Sequence, residues 1–521
     1  MQQVSYRLKQ HYHWLIGGSL CLIALVFDFH RIAQPSIWFD EAFSIELARQ
    51  PLPHLWSLIF GPEPNVELYY LFLHFWLALT SSIGLRATEI VVRSPSAVFA
   101  ALSTIVVFAF ARRFLGIFTA ILGSALYLLS NETLVYAQQA RPYALQLLLI
   151  SIAWYALFTA LIDDKQQKRC WIIYIIASAL SVYAHLFSFL VLLSQGIAIL
   201  GILLLPNAWR DQAWKQWKSM LASGGALLVL LVPMIIVARQ GGKTGWLPIP
   251  HASDVWQVFR FFVGYQDQYL SILFAFCGLG LFIVCIAYIT RNISNSRIYE
   301  ETRSYIPYIP VIWSLLCWSI VPLVVSFIVS HGTTRIFSSR YLVVIVPPFF
   351  LLVAFGVASL KWRIVQVYFA ALLLWASLAG MSYYYQSAQV EDWRTPVQWL
   401  IQHYQPGDGL ICYDNVQGCQ IAVEYYLQVD GSNAQFTDDS PGAFSWAKDG
   451  PVSNAGYQAA TNTHAIAAYA KKHKRIFYII ARLSSGNAAG NVNAAEKWMD
   501  NHYHLKGQIA GPTVKILMYT V

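Results

Sequence analysis

Two acidic residues stand side by side in Ile37-Trp38-Phe39-Asp40-Glu41-Ala42-Phe43-Ser44, just beyond the first long apolar run of the chain. Neighbouring helical residues point about 100° apart, so the pair cannot address one reacting atom together. One is expected to be catalytic, taking a hydroxyl proton or holding a divalent cation that acidifies the hydroxyl, and the other supportive. Asp40 receives the first role, with any metal, and Glu41 stands beside it. The competing account is electrostatic, because carboxylates favour the positive end of a helix dipole. Arginines form a second set. Arg141 lies in Tyr136-Ala137-Gln138-Gln139-Ala140-Arg141-Pro142-Tyr143, and Arg335 and Arg340 lie in Thr334-Arg335-Ile336-Phe337-Ser338-Ser339-Arg340-Tyr341. Guanidinium groups grip phosphate through paired hydrogen bonds, and Tyr136 and Tyr143 would add donors. Snorkelling at a membrane interface is the bland alternative for all three arginines. His185, in Tyr183-Ala184-His185-Leu186-Phe187, is a further binding candidate or an ordinary interhelical hydrogen-bonding residue.

The elements around these residues are apolar. Of 521 residues, 57% are hydrophobic and only 12% charged, and the mean hydropathy is +0.49. Soluble domains carry roughly 25% charged residues, so a soluble enzyme is excluded, as is a disordered or fibrous chain. About 20 apolar residues cross a bilayer. That length predicts eleven spans, at 14–33, 92–111, 117–135, 142–162, 171–184, 187–205, 220–238, 269–289, 308–330, 341–360 and 364–381. The pair 171–184 and 187–205 reads as a thin hairpin turning near His185. Basic loops at Arg112–Arg113, Asp163–Arg169, Arg210–Lys218, Arg291–Arg303 and Lys361–Arg363 place those loops and the amino terminus in the cytoplasm. Keeping them there requires Leu68–Leu79 to lie in the outer interface rather than to cross. Residues 34–85 then form a first outer loop with interfacial helices. Arg141, Arg335 and Arg340 sit on the face opposite to the one topology favours. The net charge of +9 follows from the topogenic loops, and no basic stripe with interleaved aromatics indicates a nucleic-acid partner.

The order of Trp38 through Ser44, Asn65-Val66-Glu67-Leu68-Tyr69-Tyr70, Arg93-Ser94-Pro95-Ser96, Tyr136 through Tyr143 and Ser339-Arg340-Tyr341-Leu342 resembles the GT-C glycosyltransferases. It is nearest the bacterial branch related to protein O-mannosyltransferases and aminoarabinose transferases, and it covers about residues 10–385. The resemblance implies transfer of a sugar from a polyprenyl-phosphate carrier at the outer face, with an acidic residue of the first outer loop as catalyst. It carries that role onto Asp40, with Glu41 beside it, and phosphate contacts onto Arg141 and Arg340. Several relatives have His/Lys-Pro-Pro where this chain reads Asn65-Val66-Glu67, so no role transfers to that segment. Glu67 stays a substrate-binding candidate on its own account. The chemistry agrees independently. A lipid phosphate already leaves readily, so one base suffices, and cations stabilise the departing charge.

Residues 1–381 are thus expected to be a membrane catalytic domain, and 382–521 a small soluble α/β domain in the periplasm. In the second, Trp393–Tyr404 reads as a helix, Leu410–Tyr413, Arg475–Ile480 and Val514–Tyr519 as strands, and Gly431–Gly456 as loop. Cys412 and Cys419 could pair in an oxidising compartment. The expected partners are a polyprenyl-phosphate-linked sugar, a lipid, glycan or protein acceptor, and membrane lipids. The rival function is a transporter or flippase for an anionic lipid-linked substrate. Against it, the chain shows no internal repeat of the kind transporters commonly carry.

Overall fold

The computed structural model describes every residue except Met1, 61–64, 240–243, 246, 293–296, 389, 415–417, 448–449, 454–455 and 483–486. Parts of the expected loops 34–66, 239–268, 291–303 and 431–456 therefore lie outside the described residues. The chain forms two compact units. One contains Met1–His30, Asn65–Tyr69 and Pro95–Ser387, and the other Arg31–Pro64, Tyr70–Ser94 and Ala388–Val521.

Among the described residues seven helices are long and apolar enough to cross a membrane, or nine if two bent pairs each count as one span. These nine correspond to nine of the eleven expected spans. The other two, the thin hairpin, fall short: Ser188–Leu204 has 17 residues and Gln167–Ala184 is less apolar. The helix Glu67–Ser82 has 16 residues and is not among the spans. Phe75 and Leu79 along it, and Ile83 just beyond, are exposed one turn apart.

Both bends are written locally. The break between Ile117–Leu128 and Asn131–Ala137 turns the chain by 58°. Ser130 starts the second helix there, its hydroxyl accepting the Thr133 N–H at 3.2 Å, which satisfies one of the orphan donors at a helix start. The other bend, of 54°, falls between Trp217–Leu230 and Val232–Arg239, where Pro233 cannot donate to the preceding turn. Small residues let spans approach closely. A Cβ on Gly356 would lie 1.8 Å from the Phe276 carbonyl oxygen, so only glycine fits where Val346–Ala358 meets Asp267–Thr290. Gln138 fastens the end of the first helix, its amide donating to the carbonyls of Asp28 (3.0 Å) and His30 (2.8 Å).

The second unit contains a four-stranded sheet made by β1 (Gly409–Asp414), β4 (Arg475–Ala481), β5 (His504–Ala510) and β6 (Val514–Thr520), in the order β1-β4-β6-β5. β1 and β4 run parallel, with Ile411 opposite Tyr478, and the other pairs are antiparallel. The strands β2 (Phe444–Ala447) and β3 (Gly450–Ser453) form a separate antiparallel hairpin. That hairpin corrects the reading of 431–456 as loop throughout. The sheet core is Ile411, Tyr413, Tyr478, Leu517 and Tyr519, covered by Ile466, Val492 and Met499. Cys412 and Cys419 are joined by a disulfide.

Candidate active site

The acidic pair opens the helix Phe39–Ala48. Glu41 is fully buried and gives both oxygens to Arg93, which donates from Nε to Oε1 at 2.8 Å and from Nη2 to Oε2 at 2.6 Å. The same guanidinium donates to the carbonyls of Ile32 (2.8 Å), Pro35 (2.8 Å) and Ser36 (3.0 Å). One arginine therefore satisfies Glu41 and fixes the chain leading to it, which suits a planar fork with five donors. Asp40 is only partly buried, and its backbone carbonyl accepts the Ser44 hydroxyl at 2.9 Å.

A second buried knot holds the same segment. Glu89 Oε1 accepts Arg394 Nη2 at 2.7 Å and the Tyr426 hydroxyl at 2.9 Å. That hydroxyl also accepts the Ile37 N–H at 2.8 Å, and the Ser36 hydroxyl accepts the Trp393 N–H at 2.9 Å. Residues 32–41 are thereby tied down by groups from 89–93 and 391–426 of the same unit.

The membrane unit carries a different cluster. The rings of Tyr136 and Tyr143 lie 4.4 Å apart, those of Tyr143 and His185 5.5 Å, and those of His185 and Tyr341 5.0 Å. Arg141 and Arg340 both lie within electrostatic reach of His185 and of the Tyr136 hydroxyl. His185 follows the C-terminal end of Gln167–Ala184. Burial, then Arg141 and Arg340, push its imidazole down to about 3, so the ring is neutral in ordinary buffers. Its Nδ1 accepts the Phe187 N–H at 3.2 Å, which leaves the proton on Nε2. Arg335 is used otherwise, donating to the carbonyls of Leu247 (2.6 Å) and Gly245 (3.3 Å). A cavity of about 220 Å³ opens among Leu247, Val258, Phe261, Phe337, Ser338 and Ser339, ending one residue before Arg340. Glu67 is 1% exposed, and neither of its oxygens has a hydrogen-bond partner among the described residues. Burial pushes its carboxyl up to about 8.

The family described as dolichyl-phosphate-mannose-protein mannosyltransferase matches residues 71–237. Among curated proteins none matches. The apo oligosaccharyltransferase of Archaeoglobus fulgidus is similar in structure over 94% of this chain and 73% of its own, with 13% identity and a TM-score of 0.54. The oligosaccharyltransferase AglB from the same organism, in complex with an inhibitory peptide and a dolichol-phosphate, is similar over 90% of this chain and 69% of its own, at 12% identity and a TM-score of 0.52. ArnT from Cupriavidus metallidurans, in the apo state, aligns over 97% of both chains at 10% identity, with a TM-score of 0.45. The fold is that of the archaeal oligosaccharyltransferase.

On that fold the expected residues separate into two sets. Tyr136, Arg141, Tyr143, His185 and Arg340 come together, whereas Arg335 turns to backbone carbonyls. The matched stretch 71–237 contains Arg93, Arg141 and His185 but not Asp40. Arg93, Glu89, Glu391 and Arg394 escaped the site reading of the sequence. The available signal was Glu89 and Arg93 one turn apart at the head of an apolar run, where a buried charge is costly unless paired. Among the described residues no group of three or more His, Cys, Asp and Glu side chains converges as a metal site would.

Proposed function

We propose that this protein is a GT-C membrane glycosyltransferase that moves a sugar from a polyprenyl-phosphate carrier to a hydroxyl of a lipid, glycan or protein acceptor. The observation that carries this reading is the division of labour between the adjacent carboxylates. Glu41 is consumed by Arg93, while Asp40 remains partly exposed on an immobilised helix start. A site that spends one carboxylate on rigidity keeps its neighbour's geometry fixed, as a general base requires.

In the proposed reaction the acceptor oxygen attacks the anomeric carbon as the bond from that carbon to the carrier's phosphate oxygen breaks. The electron pair leaves with the phosphate, and the acceptor proton passes to Asp40. In the membrane unit, taken by itself, Arg141 and Arg340 are cations suited to a lipid phosphate, the neutral His185 offers a single N–H donor, and the cavity beside Ser339 suits the first apolar units of a carrier. The dolichol-phosphate and inhibitory peptide held by the AglB complex support a lipid-phosphate carrier and leave the acceptor open. The basic-loop pattern supports an enzyme of the cytoplasmic membrane with its amino terminus inside and residues 382–521 in the periplasm.

The test compares envelope glycans and glycolipids of a deletion strain by mass spectrometry, with complementation by wild type and by Asp40→Asn. A glycan lost on deletion and restored only by wild type supports the reading. An unchanged glycan profile in the deletion strain, or full restoration by Asp40→Asn, overturns it.

A further inference from the structure

A buried ion cluster in the second unit has no part in the chemistry above. Glu391 is fully buried, and its Oε2 accepts the backbone N–H of Phe39, the residue before Asp40, at 2.9 Å. The Trp393 indole N–H donates to the same oxygen. Arg482 Nε lies 2.7 Å from Glu391 Oε1 in an ion pair, while its N–H is aimed at Asp414 Oδ1, 3.0 Å away. Asp414 is the last residue of β1 and is itself fully buried. Arg482 also feels the charge of Asp40, which lies within its electrostatic reach. The cluster therefore reaches the acidic pair through the backbone amide of the residue before it, at the opening of its helix.

A cluster serving only the sheet would not need this geometry. Arg482 adopts φ +40°, in the left-handed region that side chains avoid. It is held there by its N–H to the Thr513 carbonyl at 2.9 Å, and Thr513 in turn accepts the Asp392 N–H at 2.7 Å. Backbone strain of this sort persists where surrounding structure over-determines it, and it clusters at functional sites. A first-turn N–H is an orphan donor that water could have satisfied. Spending a buried carboxylate on it costs desolvation unless the carboxylate is paired, and Arg482 provides that pairing.

We propose that Glu391 and Arg482 are positioning residues for Asp40: Glu391 fixes the helix start by its bond to Phe39, and Arg482 holds Glu391 in place by the ion pair. The proposal rests on the catalytic reading of Asp40. Residues 388–521 thereby belong to the catalytic apparatus rather than forming an appendage to it.

The experiment uses full-length protein in proteoliposomes with a polyprenyl-phosphate sugar extract. It measures kcat, donor KM and thermal unfolding for Glu391→Gln, Glu391→Leu, Arg482→Lys and Arg482→Gln. Displacing a catalytic group by about 1 Å costs on the order of a hundredfold in rate. Glu391→Leu and Arg482→Gln are therefore expected to lower kcat by about ten- to a hundredfold, with donor KM within twofold of wild type. Glu391→Gln keeps an oxygen for the Phe39 N–H and should recover part of the loss. Wild-type kcat in folded Glu391→Leu and Arg482→Gln overturns the proposal. So does a fall in kcat matched by KM and by unfolding temperature, which marks a merely structural role. If the two harsher variants do not fold, Glu391→Gln and Arg482→Lys decide by the same criteria. Asp40→Asn run alongside separates the two ideas: a fully active Asp40→Asn defeats the catalytic reading, whereas an inactive one beside fully active cluster variants defeats only the positioning.

Discussion

The acidic loop and the aromatic–arginine cluster treat buried charge in opposite ways. Around Asp40 each buried carboxylate named above has a cationic partner: Glu41 with Arg93, Glu89 with Arg394, and Glu391 and Asp414 with Arg482. In the membrane unit, Glu67 and Glu132 are buried with no hydrogen bond to either carboxylate among the described residues. A paired carboxylate is a fixed strut, because removing one partner strands the other charge. An unpaired one is free to change its protonation or to meet a ligand. The first region is built for rigidity, and the second retains unspent polar capacity.

Asp40 tests that contrast most severely. If the struts exist to hold it, Asp40→Asn should reduce transfer about 10²–10⁴-fold, the usual cost of losing a general base, with donor binding and folding kept. Turnover and donor binding measured on the same reconstituted protein decide this. Glu41→Gln should do the reverse. It breaks a buried pair at a cost of about 3–5 kcal/mol in stability, while turnover per folded molecule falls far less than in Asp40→Asn. Equal losses of turnover in the two variants would erase the distinction between strut and catalyst.

This contrast also marks what the sequence made legible. The nine spans and strands β1, β4 and β6 announce themselves, because each is a continuous apolar run whose length fits its role. β5, reading His-Leu-Lys-Gly-Gln-Ile-Ala, does not, since an edge strand exposes polar side chains and loses the apolar signature. The Cys412–Cys419 bridge and the nearness of Tyr136 and Tyr143 were accessible from short local segments, whereas the joining of His185 to them was not. Arg93 and Glu391 were not. Each makes sense only beside a partner 50 or more residues away, Glu41 and Phe39 respectively, and long-range pairing leaves no periodicity to read. Arg335 shows the converse. Its segment looks like that of Arg340, yet the loop carbonyls of Gly245 and Leu247 claim it.

Arg141 and Arg340 come next in size. A hydrogen bond to a charged group is worth about 1.5–3 kcal/mol, so Arg141→Lys or Arg340→Lys should lower kcat/KM by about 10- to 150-fold, because lysine lacks the fork. Arg335→Lys should leave donor kinetics within a few-fold, as its bonds go to backbone carbonyls. Donor titrations of the three variants check the ranking. Equal sensitivity of all three would return them to interface anchoring.

The smallest effect concerns Glu67 and appears as a dependence on pH. Burial raises its carboxyl from the ordinary 4.5 to about 8 in the fold, so the folded protein holds that proton more tightly than the unfolded chain does. Stability from this group is therefore fully present below about pH 4.5 and is lost as pH rises toward 8, where the loss levels off. Glu67→Gln stays neutral and escapes the penalty. Thermal unfolding of both proteins between pH 5 and 9 should show the variant gaining on wild type as pH rises, then running parallel above 8. A pH-independent difference would mean that Glu67 has a compensating partner after all, and the membrane unit would then handle its carboxylates as the acidic loop does. If the variant gains stability but loses turnover above pH 8, the ionised Glu67 is used on substrate, which would turn its unspent polar capacity into a binding role.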